Sequence, residues 1–592
     1  MSLKHLLWLS LFLAASLGGA RADTAAGAGA DERFNRLSAE FLDGYLAWRP
    51  ATGTGLGMHE YDGKTTDLSR TSLRHELARL RRFDRELADL PVKSLSPQSL
   101  HDYRLLRTGI AGELFQFEDL KSYTRNPMTY ANAIDVNIYI KRDFAPLADR
   151  VRSIIAVEKQ MPAVMAAARA NLDQSLPQPY VETAIEVADG SVDFLGHELA
   201  EALRDLPDKS LLAEFNTVNQ AAIAGLHDYV VWLKQEKMPK ANDHFALGRR
   251  KYQRMLRDGE LIPLPPERIL EIGLSELHRE QQVFAEAARI IDPNHPPIEV
   301  FKAIQAEHPT ADDLIPDTRR DLESIHQFLV DHQIVTLPSD NRVKVEETPQ
   351  YARATSFASM DSPGPFETKA TEAYYYITPV EKDWTPKQKD EWLTAFNYYT
   401  TDVVSIHEAY PGHFVQFLCE QASSATRLEK IFGSYAFIEG WAHYCEQMML
   451  DQGFGADPAQ ADTPAARLKA AKYRLAQSDE ALLRICRLCV SIKMHCQGMS
   501  VDQAARFFEE NCYYEPKPAR EEAMRGTFDP GYLYYTLGKL QLLKLRQDYQ
   551  AQEGANYSLK QFHDEVLRHG CPPVRLLREI MLKDAKQWDE IF

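Results

Sequence analysis

Apolar residues recur at helical spacing along nearly the whole chain, and this periodicity restricts the fold more than any other feature of the sequence. Ser72 to Leu90, Leu147 to Leu172, Leu195 to Val230 and Pro266 to Ile291 each set apolar side chains three and four positions apart with charges between them. That is the pattern of helices burying one stripe. Breaks fall where proline clusters, at Ile262-Pro263-Leu264-Pro265-Pro266 and at Asp292-Pro293-Asn294-His295-Pro296-Pro297. Helical periodicity resumes over Lys387 to Cys419 and Leu428 to Leu450, and again beyond a polar loop at Asp451 to Pro464. One stretch departs from it. Ala373-Tyr374-Tyr375-Tyr376-Ile377-Thr378 is rich in β-formers and bounded by Pro363, Pro365 and Pro379. It predicts a strand that either lines a groove and pairs with an extended peptide or stands as a surface hairpin strand without a ligand. The expectation is a mainly α protein with two lobes, residues 34–350 and 351–592, meeting near a small β element.

The N-terminus has the order of a secretory leader. Met1 to His5 carry positive charge, Leu6 to Leu17 are apolar, and Ala20-Arg21-Ala22 precede Asp23. Cleavage is expected after Ala22, leaving an Ala/Gly-rich flexible lead-in over 23–33; a retained anchor is the alternative. The apolar run is short for a bilayer, and no later stretch reaches about 18 uninterrupted apolar residues. An exported protein, periplasmic or secreted, is expected, without an integral membrane segment once the leader is cut. No cysteine lies near the cleavage site to take a lipid. The net charge of -17 argues against nucleic acid and anionic membranes as partners. The seven cysteines read as buried free thiols, as one or two disulfides, or, at Cys486, Cys489 and Cys496, as a soft metal site.

The chemistry concentrates in Ile406-His407-Glu408-Ala409-Tyr410-Pro411-Gly412-His413-Phe414. Zinc peptidases place two histidines one helical turn apart with a glutamate beside the first as general base. Here the second histidine comes six positions after the first, which on an unbroken helix would swing it about 120° off the metal face. Pro411 has no N–H for the carbonyl of His407, and Gly412 tolerates unusual backbone angles. A locally widened turn at Pro-Gly is therefore expected to bring His413 back; the alternative is a kinked helix with two hydrogen-bonded histidines.

Downstream, Phe437-Ile438-Glu439-Gly440-Trp441-Ala442-His443-Tyr444-Cys445-Glu446 sets Glu439, His443 and Glu446 along one helix face. Two histidines and a carboxylate from a later helix form a catalytic zinc set with one position left for water. The segment resembles the Asn-Glu-Gly-Phe-Ala helix of zinc aminopeptidases, which implies Glu439 as third ligand. Glu446 would orient a ligand histidine. His443 is a ligand, a substrate contact or a packed neighbour. In Arg525-Gly526-Thr527-Phe528-Asp529-Pro530-Gly531-Tyr532-Leu533-Tyr534-Tyr535, Asp529 and Pro530 read as the N-cap and first residue of a helix that puts Tyr532 and Tyr535 on one face. Either tyrosine donates to an oxyanion or both pack between helices. Arg525, Lys539 and Arg546 hold a peptide carboxylate or are surface charges.

The His-Glu-x-x-Pro-Gly-His and Glu-Gly-Trp-Ala pieces together resemble the bacterial domain of unknown function 885 family. So do Pro50-Ala51-Thr52, Gly57-Met58-His59-Glu60-Tyr61-Asp62, Leu247-Gly248, Tyr535-Thr536-Leu537-Gly538-Lys539, Leu545-Arg546, and Phe562-His563-Asp564 through Arg575. The likeness spans nearly all of the chain beyond the leader. It implies a large helical, zincin-like metallopeptidase with a deep cleft, and it favours Tyr535 over Tyr532 through the family's Tyr-x-x-Gly position. His443 stands where that family usually has an aliphatic residue. The function expected is hydrolysis of short peptides with one zinc ion on His407, His413 and Glu439, Glu408 as base, and Tyr535 as oxyanion donor. A metal-dependent amidase or esterase, or a non-catalytic metal-stabilised binding protein, are the alternatives.

Overall fold

The computed structural model describes residues 29–349, 353, 357–456 and 463–592. The leader expected over 1–22 lies outside them, as does most of the lead-in. Residues 29–33, read as flexible, instead begin a helical stretch running to residue 48. Asp31 holds it down by accepting a hydrogen bond from the Ser96 backbone N–H at 3.0 Å.

Helix accounts for 70% and strand for 3%, as helical periodicity requires. Seven helices position the functional residues: α1 (Pro97–Phe115), α2 (Pro266–Ile291), α3 (Tyr398–Glu408), α4 (His413–Ala422), α5 (Tyr435–Asp451), α6 (Pro464–Gln497) and α7 (Tyr534–Glu553). Their ends follow local chemistry. Asn397, Ser434 and Thr463 accept backbone N–H groups as N-caps of α3, α5 and α6, and α6 stops at Gly498 in the left-handed conformation. The span expected to be helical over 387–419 is broken at 395–397 and again at 409–412.

The small sheet has the order β1 (Lys344–Glu347), β3 (Tyr374–Ile377), β2 (Ala358–Asp361). β3 pairs parallel with β1 and antiparallel with β2. The tyrosine-rich strand is therefore central, its backbone groups are taken on both sides, and it cannot add an extended peptide as the sequence suggested. Tyr375 instead reaches toward α3, with its hydroxyl 3.4 Å from Ser405 Oγ.

Among the described residues, three apolar cores each combine residues from before and after residue 350. The largest joins helices between residues 115 and 304 to α6 and to residues 504–537. Within it α2 lies along α6, bringing Leu277 and Phe284 into the same core as Leu482, Ile485 and Leu488. A second core runs from Leu314 through β3, α3, α4 and α5 to Leu582, and a third combines Phe34 to Leu114 with Leu428, Phe432 and Leu576. An amphipathic helix is matched by whichever apolar face is complementary, and here the complements are distant in sequence. All seven cysteines are free thiols, and Cys445, Cys486, Cys489, Cys512 and Cys571 are buried.

Candidate metal centre

The break between α3 and α4 brings the two motif histidines together. The chain does not widen a single helix at Pro411-Gly412, as expected; it ends one helix at Glu408 and starts another at His413. Without an N–H, Pro411 cannot continue the ladder. The turn is closed by Tyr410 N–H to Ser405 O (3.3 Å) and Gly412 N–H to Ile406 O (3.0 Å). A side chain at Gly412 would place its Cβ 1.7 Å from the carbonyl oxygen of His407, so this close approach needs glycine. Trp441 of α5, fully buried, donates its indole N–H to the carbonyl of Pro411 at 2.9 Å. Truncating such a side chain costs about 3–5 kcal/mol, and it fastens the turn to the helix carrying Glu439.

The imidazole centroids of His407 and His413 lie 4.9 Å apart with planes at 89°. Glu439 Oε2 is 3.6 Å from His407 Nε2 and 3.5 Å from His413 Nε2. This oxygen is buried and closes no hydrogen bond. Ligand atoms about 2.0–2.1 Å from a tetrahedral zinc ion lie about 3.3 Å apart, so the two separations from Glu439 are close to those of residues that could hold one such ion. A donor atom from each of the three residues lies within 4.8 Å of the others.

Behind His407 stands Glu446. Its Oε1 is 2.7 Å from His407 Nδ1, its Oε2 is 3.0 Å from His443 Nδ1, and Arg484 Nη2 lies 3.4 Å from Oε1. A carboxylate only accepts, so Nδ1 of His407 carries a proton and Nε2 is the nitrogen that faces the site, with a lone pair to offer once it is deprotonated. Burial alone would raise Glu446, but the Arg484 charge and the two imidazoles hold it well below the usual range. Burial would lower His407, yet Glu439 and Glu446 outweigh it and raise it to about 9 in the metal-free site. Burial would likewise raise Glu439, but the two imidazoles beside it hold it well below its ordinary value. His443 is fully buried, bonded to Glu446, and lowered to about 3 by burial and then the Lys539 charge. Glu408 is partly exposed beside His407 and engages no hydrogen bond among the described residues.

α5 and α7 cross with backbones nearly touching. A Cβ at Gly440 would lie 2.5 Å from the Gly538 carbonyl carbon, and one at Gly538 would lie 1.7 Å from Ala436 O. This contact sets Tyr535 beside Glu439. Burial, then the Glu439 charge, pushes its phenol up and keeps it protonated. Its ring packs on Tyr435 at 5.8 Å, with Arg487 5.2 Å and Arg525 6.0 Å from its centroid. Tyr532 also has Arg525 near its ring, 5.9 Å from its centroid. Residues Pro530–Leu533 form a 3-10 turn, and Tyr532 is wholly buried against Gly526 and Met494. Asp529 makes no capping hydrogen bond; its carboxylate instead accepts from Arg525 at 2.9 and 3.1 Å. Arg525 also donates to Tyr435 Oη at 3.1 Å. Lys539 is buried, and Arg546 donates to the hydroxyls of Tyr444 and Tyr557 at 3.2 Å each, so neither is a surface charge.

Sequence reasoning passed over Arg484, Arg487 and Glu260. The two arginines lie in the apolar stretch 483–494, where an interior charge was the available signal. Glu260 is buried, accepts from Ser434 Oγ and from the Ala436 N–H at 3.3 Å, and so holds the N-terminus of α5. Burial pushes it up to about 7. A cavity of about 540 Å³ is lined by Glu260, Tyr435, Asp529 and Tyr534. His407, His413 and Glu439 do not line it, and Tyr435, which packs on Tyr535, does.

A family model described as "Bacterial protein of unknown function (DUF885)" matches residues 50–581. Among solved structures, the chain is similar to one described as a lipoprotein of unknown function from Shewanella oneidensis. The identity is 25% and the TM-score 0.76, covering 93% of this chain and 100% of that one. It is also similar in fold to a protein from Colwellia psychrerythraea described as a lipoprotein, at 17% identity and TM-score 0.76, covering 95% and 99%. No curated protein matches the sequence. No helix among the described residues is long and apolar enough to cross a membrane, which together with these neighbours is compatible with an exported protein.

Proposed function

We propose that this chain, which belongs to the bacterial DUF885 family of unknown function, is an exported, zincin-like, zinc-dependent hydrolase of short peptides. The observation that carries the reading is Glu439 Oε2, buried without a hydrogen bond at 3.5 and 3.6 Å from two imidazole nitrogens. A carboxylate so placed between two imidazoles, one of them backed by Glu446, has a spacing compatible with shared ligation of one metal ion. His407, His413 and Glu439 would hold the ion, which when bound supplies Lewis-acid activation of water and of the scissile carbonyl.

The remaining chemistry belongs to the chain. Glu408, adjacent to a ligand and free of other partners, takes the proton of the attacking water and returns it to the leaving amine. Tyr535, protonated and held by the α5–α7 crossing beside Glu439, donates its O–H to the developing oxyanion. Glu446 keeps His407 in the tautomer that offers Nε2 inward. A two-lobed body with the site in a cleft would admit short peptides and exclude folded proteins.

The test is incubation of the purified protein with a peptide mixture, with and without a chelator, followed by mass analysis of the products. Chelator-sensitive cleavage is expected, abolished in Glu408→Gln while the metal content stays near that of the unchanged protein. Full activity in that variant refutes the mechanism, and loss of the metal would make Glu408 a ligand. Absence of any cleavage product would move the reading to other amides or esters.

A further inference from the structure

We infer that His101, Asp102 and Glu429 form a second divalent-cation site, structural in role and independent of the first. His101 and Asp102 are consecutive on α1, whereas Glu429 lies in the segment leading to Ser434, the cap of α5. All three are buried, at 9%, 8% and 3% exposure, and one donor atom from each lies within 4.8 Å of the others.

The relation between His101 and Glu429 points to an ion. Nε2 of His101 is buried and 3.2 Å from Glu429 Oε1, yet closes no hydrogen bond, because the oxygen lies off the direction of the ring nitrogen's N–H or lone pair. Two ligands of one ion stand in this relation: close to each other, with lone pairs converging on a third point. The carboxylates are steadied by other donors. Asp102 Oδ1 accepts from Gln98 Nε2 and Thr426 Oγ1, both at 3.1 Å, and Glu429 Oε2 accepts from the Thr426 N–H at 2.6 Å.

Charge balance leads to the same conclusion. Two carboxylates buried side by side face one imidazole, leaving net negative charge that the interior disfavours. The neighbouring imidazole, His569, has its centroid 6.3 Å from that of His101 and is engaged by Glu565 at 3.1 Å. One imidazole and two carboxylates suit zinc or a first-row transition ion better than calcium or magnesium. An ion here would tie α1 to the chain entering α5, and so steady the helix that carries Glu439.

The test uses protein stripped with a chelator, dialysed against zinc and analysed for metal. The unchanged chain is expected to hold two ions, His407→Ala/His413→Ala one, and His101→Ala/Glu429→Gln one. Wild-type stoichiometry in His101→Ala/Glu429→Gln overturns this inference, as does complete loss of zinc from folded His407→Ala/His413→Ala. Wild-type stoichiometry in His407→Ala/His413→Ala overturns the first site alone, so the two failures are distinguishable. Should the paired variant not fold, Asp102→Asn in the His407→Ala/His413→Ala background decides. It keeps shape and hydrogen bonds to Thr426, and its zinc affinity should fall at least about tenfold; unchanged affinity overturns the proposal.

Discussion

Replacing Glu446 by Gln tests the electrostatics of the centre without altering its shape. The carboxylate serves His407 Nδ1 at 2.7 Å, His443 Nδ1 at 3.0 Å and Arg484 at 3.4 Å, wholly shielded from water. An amide can still accept from His407 Nδ1–H through its oxygen and donate to His443 Nδ1 through its nitrogen, provided His443 takes its other neutral tautomer. What disappears is the negative charge. Removing one member of a buried pair costs about 3–5 kcal/mol. Arg484 retains Glu480, which also binds its guanidinium, so a loss near 3 kcal/mol is expected in metal-free protein. The imidazole also loses basicity, which should weaken zinc by about tenfold to a hundredfold. Urea unfolding of stripped protein reads the first effect, and competition with a chromophoric chelator reads the second. Unchanged stability would mean that Arg484 does not depend on Glu446. Unchanged affinity would mean that the Glu446–His407 contact does not tune the site, and the reasoning for a backed ligand would fail.

His407→Ala, His413→Ala and Glu439→Ala should each lose most bound zinc in elemental analysis, whereas His443→Ala keeps it; a reversed pattern for His443 and Glu439 would exchange their roles. Gly412→Ala, and more so Pro411→Ala/Gly412→Ala, should weaken zinc by more than about tenfold, because the added Cβ meets the His407 carbonyl at 1.7 Å; unchanged affinity would show that the turn does not place His413. Glu158, 1% exposed with neither oxygen hydrogen-bonded, is pushed by burial from 4.5 to about 8. Between those pH values the unfolded chain has lost this proton and the folded chain keeps it, so stability present below pH about 4.5 is lost as pH rises through 8, by on the order of 5 kcal/mol. Glu158→Gln should remove that share of the pH dependence in urea midpoints measured at pH 5 and pH 8; an unaltered slope would refute the assignment.

Much of the local structure was legible in the sequence because helix formation is local. The expected span Pro266 to Ile291 coincides with α2, and the strand at 373–378 contains β3. Pro411-Gly412 marked where the metal helix could not continue, although not that it would end and restart. His407, His413 and Glu439, singled out from motif spacing and resemblance, do come together. Other features had no local signal. Whether β3 was an edge or central strand depended on β1 and β2, whose pairing no period within 373–378 encodes. That Tyr532 is wholly buried while Tyr535 lies near Glu439 depended on α6 packing over residues 530–533 and on α5 crossing α7. The partners of Arg484 and Glu446 became visible only once α5 and α6 packed, since a buried charge is defined by what surrounds it. That each apolar core combines residues distant in sequence has the same reason. Helical periodicity states that a face will be buried, but the complementary face that buries it is chosen by shape and charge across the whole chain.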